Sequence, residues 1–222
     1  MKDFPERFVI TIGRTFGSGG RELGRLIAER LGISFYDKML LVKAAEKAGL
    51  RPEFLAHNDE KPPKFFGGLS PLSLGFYSGG GAGGWLGDQT NSGSDHIYQA
   101  QSDFMHELAA TEPCVIVGRS ADYILRDVDN VVNIFVHAPI EACVKRIRAR
   151  SKEPLTDMQA KTLAEKTNKL RANFYNFYTD KRWGHASTYD LCLDSERLSM
   201  DELADLVIDY ARRRFAKSAQ NA

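Results

Sequence analysis

Gly13-Arg14-Thr15-Phe16-Gly17-Ser18-Gly19-Gly20-Arg21 lies between two segments of different periodicity. Before it, Phe8-Val9-Ile10-Thr11-Ile12 is a short β-branched run ending in glycine, which predicts a buried strand. After it, from Gly20 to Leu31, apolar Leu23, Leu26, Ile27 and Leu31 recur at helical spacing among Arg21, Glu22, Arg25, Glu29 and Arg30, and Gly32 supplies a stop. A strand that feeds a helix through glycines turns backbone N–H groups and the positive end of the helix dipole towards one spot. The stretch therefore predicts an anion cradle at Gly17, Ser18, Gly19 and Gly20, where larger side chains would block the close approach of a phosphate.

The strict phosphate-loop pattern G-x-x-x-x-G-K-[ST] is not met. With Gly19 as its second glycine, Gly20 occupies the lysine's place and Arg21 follows. That lysine normally neutralises β- and γ-phosphate charge. Arg21 and Arg14 are the nearest cations, with Arg21 the candidate stand-in, although arginine is a wide fork and not a point charge. The same glycines, read as Gly13-x-x-x-Gly17-x-Gly19, also fit short-chain dehydrogenases, with Asp37 after Ile33-Ser34-Phe35-Tyr36 where a ribose-binding acid would sit. Spacing alone leaves both open. Those enzymes use a Tyr-x-x-x-Lys pair, however, and none of the eight tyrosines here has a lysine four residues on.

Further along, Asp37 opens a predicted second helix that closes at Gly49. Between about 61 and 93 the chain turns to Gly, Ser and Pro with scattered aromatics, which predicts a mobile insertion. Regular pattern resumes with a helix near His96 to Ala110 and strands at Cys114–Val117 and Val131–Val136. A helix follows Pro139, a capping box at Thr156 and Gln159 opens a long helix to about Tyr178, Tyr189–Leu193 reads as a last strand, and Ser199 with Glu202 caps a final helix ending near Phe215. Strands alternating with helices predict a parallel sheet covered on both faces.

In such a sheet Val115-Ile116-Val117-Gly118-Arg119 ends on the same edge as the first loop, which makes Arg119 a candidate for a second phosphate group. A basic series, Lys145, Arg146, Arg148, Arg150 and Lys152, then Lys166, Lys169 and Arg171, reads mostly as solvated helix faces. The two helices that carry it, joined at Ser151–Pro154, form a candidate lid at about 146–171 that would bring Arg146, Arg148 and Arg150 over transferring phosphates.

The chain's 222 residues, 43% hydrophobic, suffice for one substantial core and predict a single domain. A formal charge of +1 excludes a global field that would draw the protein onto nucleic acid or anionic membranes, so any basic site is local. Cys114, Cys143 and Cys192 lack metal-type spacing and read as reduced core residues, and the five histidines form no cluster at metal spacing. The N-terminus lacks signal-peptide form and no apolar run is long enough to cross a bilayer, so a cytoplasmic location is the expectation.

Together these segments resemble the cytidylate kinase-like family, relatives of the bacterial cytidylate kinases among the nucleoside monophosphate kinases. The resemblance runs from Ile10–Arg14 and Phe16–Glu22 through Tyr36-Asp37 and Val115–Arg119 to Trp183-Gly184 and Tyr189–Ser195. A glycine-glycine loop is itself typical of that family. The resemblance implies a three-layer α/β/α phosphate-loop kinase fold with a parallel central sheet and a helical lid. It further implies that Gly17 to Arg21 hold ATP phosphates, that Asp37 and Arg119 face a monophosphate acceptor, and that Arg171 matches the arginine of an Asp-x-x-Arg element that reaches the substrates. Asn168 stands at that element's aspartate, and Cys143 stands where an arginine is common. The expected substrates are ATP and a small-molecule nucleotide, CMP or dCMP first. The expected cofactor is Mg²⁺ carried on the phosphates without a dedicated protein cage. The alternative is a non-catalytic nucleotide-binding regulator that keeps the cradle and has lost transfer.

Overall fold

The structure, a computed structural model, describes residues 4–37 and 91–220. The predicted helix after Asp37 and the glycine-rich stretch as far as residue 90 lie outside the described residues. Five strands, β1 (Val9–Arg14), β2 (Ser34–Tyr36), β3 (Cys114–Val117), β4 (Val131–His137) and β5 (Leu191–Asp194), form one parallel sheet in the order β2-β3-β1-β4-β5. The described helices are α1 (Gly20–Leu31), α2 (Asn91–Thr111), α3 (Ala121–Ile124), α4 (Ile140–Arg150), α5 (Asp157–Thr179) and α6 (Met200–Gln220), with a 3₁₀ turn at Ala186–Thr188.

Alternation along the strands explains the layers. Ile10, Ile12, Val115, Val117, Ile134 and Val136 point to one face, where Leu23 and Ile27 of α1 and Leu203, Val207 and Phe215 of α6 complete a core. Val9, Cys114 and Ile116 point to the other, against Phe104, Met105 and Leu108 of α2 and Ile124 of α3. This is the expected three-layer α/β/α arrangement. A third, smaller cluster, Cys143, Ile147, Ala160 and Ala164, joins α4 to α5.

Both predicted capping boxes form: Thr156 Oγ1 accepts from the Gln159 amide, and Ser199 Oγ accepts from the Glu202 amide. Helix α2 begins at Asn91, upstream of the expected start, and α3 was not legible because four residues carry no periodicity. Cys114 and Cys143 are buried, whereas Cys192 is exposed, which corrects its assignment to the core. It sits on the edge strand β5 and faces outward while its neighbour Leu193 faces in.

The strand order also separates the two readings of the first loop. The dinucleotide-binding order 3-2-1-4-5 places β2 beside β1, so that an acid after β2 reaches a ribose bound over the first loop. Here β3 intervenes between β1 and β2.

Candidate active site

The C-terminal ends of β1, β3 and β4 meet where the chain leaves β1 for one side of the sheet and later fills the other, the position where open α/β sheets bind ligands. Above β1 the loop from Thr15 to Gly19 turns into α1. Gly17 and Gly19 have φ of +82° and +83°, which glycine adopts without strain, and a Cβ at Gly17 would stand 2.9 Å from the Cys143 carbonyl oxygen. Cys143 thus packs its backbone directly under the loop, in the place where the resemblance expects an arginine.

The underside of the loop is held by residues distant in sequence. Ser195 Oγ donates to the Ser18 carbonyl at 2.6 Å, and Arg146 donates to Ser195 Oγ at 3.1 Å and to the Ser195 carbonyl at 2.6 Å. On the other flank the Phe16 amide donates to Asn168 Oδ1 at 2.7 Å. Asn168 is therefore a loop-holding residue, and among the described residues it is held through its oxygen. Asn168→Asp keeps that acceptor, whereas Asn168→Leu leaves a part-buried amide unpaired and should lower stability by about 1–3 kcal/mol. Thermal unfolding of both variants checks this: equal midpoints would contradict it.

A cleft of about 580 Å³ opens over the loop. Among the described residues its charged lining is Arg14, Arg21, Arg146, Arg150 and Arg171 against the single carboxylate of Asp37. A chain with almost no net charge has thus concentrated cations at one site, as an anionic ligand requires. The lysines of the basic series do not line this cleft.

The candidate residues divide within the cleft. Gly17, Gly19, Gly20 and Arg21 line it, and the Ser18 side chain is buried beneath, with Oγ donating to the Thr15 carbonyl at 2.9 Å. Arg21, whose side chain is 69% exposed, donates through Nε to Asp37 Oδ2 at 2.5 Å. Asp37, at the end of β2, is therefore tied to the start of α1 at the loop's rim, past the intervening β3. Arg150 pairs with Glu22 of α1, while Arg148 faces away, holding the Leu155 carbonyl at 2.8 Å and Asp157 at 2.5 Å and so fastening the α4–α5 connection.

Beside the cleft lies a narrow cavity of about 30 Å³ whose wall includes Arg14, Arg119, Ser120, Asp122, Arg171 and Tyr175. Its floor is unusual backbone. Gly118, Arg119 and Ser120 have φ of +83°, +62° and +54° in succession. Left-handed non-glycine residues cost roughly 1–2 kcal/mol each, and such strain concentrates at functional positions. The turn aims Arg119, 6% exposed, into the wall, and the buried Ser120 Oγ has no partner among the described residues. An orphaned hydroxyl in a cavity wall is satisfied by water or by a ligand.

Asp122 and Tyr175 belong to this wall and escaped sequence reasoning, since 53 residues separate them and neither stands in a motif. Tyr175 donates to Asp122 Oδ2 at 2.6 Å. Burial raises the Asp122 carboxyl above its ordinary range, and the tyrosine hydrogen bond pulls the other way. The native state therefore keeps this proton to higher pH than the unfolded chain does. Between the unfolded value of about 4 and the raised native value, native protein binds more protons, so stability falls as pH rises through that window and levels off above it. Asp122→Asn, which can still accept from Tyr175, should remove that decline. Its thermal midpoint relative to the native chain should rise between pH 4 and 8; parallel curves would contradict the shift.

Fold and site define a phosphate-binding-loop α/β/α protein. Residues 9–197 match the model of the cytidylate kinase-like family, and the chain belongs to that family. It is 31% identical over 99 residues to a cytidylate kinase of Methanosarcina barkeri (strain Fusaro / DSM 804), a match over 43% of this chain and about half, 53%, of that protein's length. Among solved structures it resembles an uncharacterized protein from Eubacterium ventriosum ATCC 27560, with TM-score 0.67 and 26% identity over 92% of this chain and 98% of the other. Among the described residues no helix is long and apolar enough to cross a membrane.

Proposed function

We propose that this protein catalyses reversible transfer of the ATP γ-phosphoryl group to a nucleoside monophosphate, with CMP or dCMP as the first acceptors to test. The observation that carries the reading is that two residues, Arg14 and Arg171, line both the large cleft and the narrow cavity. ATP phosphates then lie on Gly17–Arg21 in the cleft, and the acceptor's phosphate enters the cavity beside Arg119. At about 30 Å³ that cavity has room for about one or two waters, so the acceptor's phosphate reaches into it by one face only, with the nucleoside outside it.

The acceptor oxygen bonds to the γ-phosphorus as the bond from that phosphorus to the ADP oxygen breaks. The attacking oxygen is already anionic, so no general base is needed, and the protein's part is positioning and charge stabilisation. Mg²⁺ supplies neutralisation of phosphate charge when bound with ATP. Asp37 is the one carboxylate that the described residues bring to the cleft lining, and it would be the side chain nearest to hand for such an ion, whose other ligands would be phosphates and water.

The experiment is ADP formation by purified protein with ATP and Mg²⁺ against a panel of nucleoside monophosphates. Acceptor-dependent ADP is the expected result. ATP binding without it would favour the non-catalytic regulator, the reading to which a loop without lysine lends support.

A further inference from the structure

Position 20 is closed to any side chain. A Cβ there would stand 2.7 Å from the Arg14 Cβ and 3.2 Å from the Val136 Cβ. Both atoms are fixed by strand backbones paired in register, Arg14 with Val136, and cannot swing aside as a side-chain tip does. Helix α1 thus begins so close to β1 and β4 that its first residue has to be glycine, and a lysine in the ordinary phosphate-loop position has no way out of the seam.

Arg14 fills that seam from the opposite side. Its Cβ and Cγ pass over Gly20, and its guanidinium rests on Gly118, where an added Cβ would fall inside it. The side chain therefore leaves the end of β1, crosses the start of α1 and finishes at the end of β3, between cleft and cavity. Its backbone is held too, since Arg171 Nη1 donates to the Arg14 carbonyl at 3.3 Å. Arg21 instead sits at the exposed rim with Asp37.

We propose that Arg14 is the cation that clamps the transferring phosphoryl group in place of the phosphate-loop lysine, reaching it from the strand side of the loop. The inference rests on the reading of the site as a phosphoryl-transfer cleft. Arg14 keeps its protons throughout and donates N–H bonds to oxygens whose charge grows as the group moves, its planar fork spanning oxygens of donor and acceptor together. Arg21 contributes to general anion binding at the rim.

The test uses the full chain and the variants Arg14→Gln, which keeps the aliphatic stem over Gly20, Arg14→Met and Arg21→Gln. Affinities for a non-hydrolysable ATP analogue and for ADP, each with Mg²⁺, are measured beside acceptor-dependent turnover. Arg14→Gln should lower affinity for the analogue about tenfold or more, in line with loss of a charged hydrogen bond, while leaving ADP affinity as in the native chain. Retained ADP binding also reports a folded loop; if the Gln variant lacks it, Arg14→Met serves in its place with the same expectation. Arg21→Gln should weaken both ligands alike.

Native analogue-to-ADP preference in the Arg14 variants, or a larger selective loss in Arg21→Gln, overturns the assignment. If the native chain shows no acceptor-dependent turnover but Arg14→Gln still loses the analogue selectively, the transfer reading fails and takes the clamp on a transferring group with it, leaving Arg14 only as the cation that holds the γ-phosphate of bound nucleotide. Native turnover that Arg14→Gln leaves intact sinks the assignment alone.

Discussion

Gly20→Lys is expected to break the phosphate loop and leave the chain no better as a kinase, even though it writes the missing lysine back into the sequence. The new Cβ would meet the Arg14 Cβ at 2.7 Å, and the rest of the side chain would start inside a seam whose walls are Arg14 and Val136. Overpacking of this kind costs about 1–3 kcal/mol, and Val136 belongs to the main core, so the added charge also starts from an apolar wall. For a chain of this size the thermal midpoint should fall by about 2–12 °C. Nucleotide affinity should fall with it, because the displaced loop carries the amides that hold phosphate. Calorimetry and nucleotide titration check both. A variant with the native midpoint and faster turnover would show that the seam opens readily.

The second large effect is expected at Arg171. Its guanidinium lies 5.5 Å from the centre of the Phe16 ring, donates to the Arg14 carbonyl and lines both chambers. Loss of a preorganised donor aimed at developing charge typically lowers turnover by about 10²–10³. Arg171→Ala should therefore reduce kcat by that amount. The hydrogen bond to the Arg14 carbonyl contributes about 1 kcal/mol to folding, so its loss should move the thermal midpoint by about 2–4 °C. Arg171→Lys should recover part of the rate, since it restores charge without the fork. Unchanged kcat in the alanine variant would remove Arg171 from the transfer path.

Much of the fold could be read from periodicity. The run Val9–Ile12, the apolar stripe Leu23, Ile27 and Leu31 and the two capping boxes are local signals, and local physics formed them as expected. The anion cradle was legible for the same reason, because glycines between a strand and a helix leave few alternatives. Asp37 shows where such reading stops. Its place after a strand is visible, yet its neighbours depend on β3 lying between β1 and β2, and strand order is not written in spacing.

The roles of arginines were legible only as charge. Arg146, Arg148 and Arg150 alternate along one helix, and the structure sends them to Ser195, to Asp157 and to Glu22 respectively. Arg14 was visible as a nearby cation, but its path over Gly20 to Gly118 arises from two glycines on different elements more than 90 residues apart. Asn168, a departure from the family pattern in sequence, becomes intelligible once its oxygen is seen to accept from the Phe16 amide.

The two-chamber account is tested most directly by following the phosphorus itself. With γ-labelled ATP, Mg²⁺ and CMP or another nucleoside monophosphate, the account predicts that label moves into the corresponding nucleoside diphosphate and that Arg171→Ala abolishes most of the transfer. Label that stays in ATP across the full panel, or that leaves only as inorganic phosphate whatever acceptor is present, would contradict it.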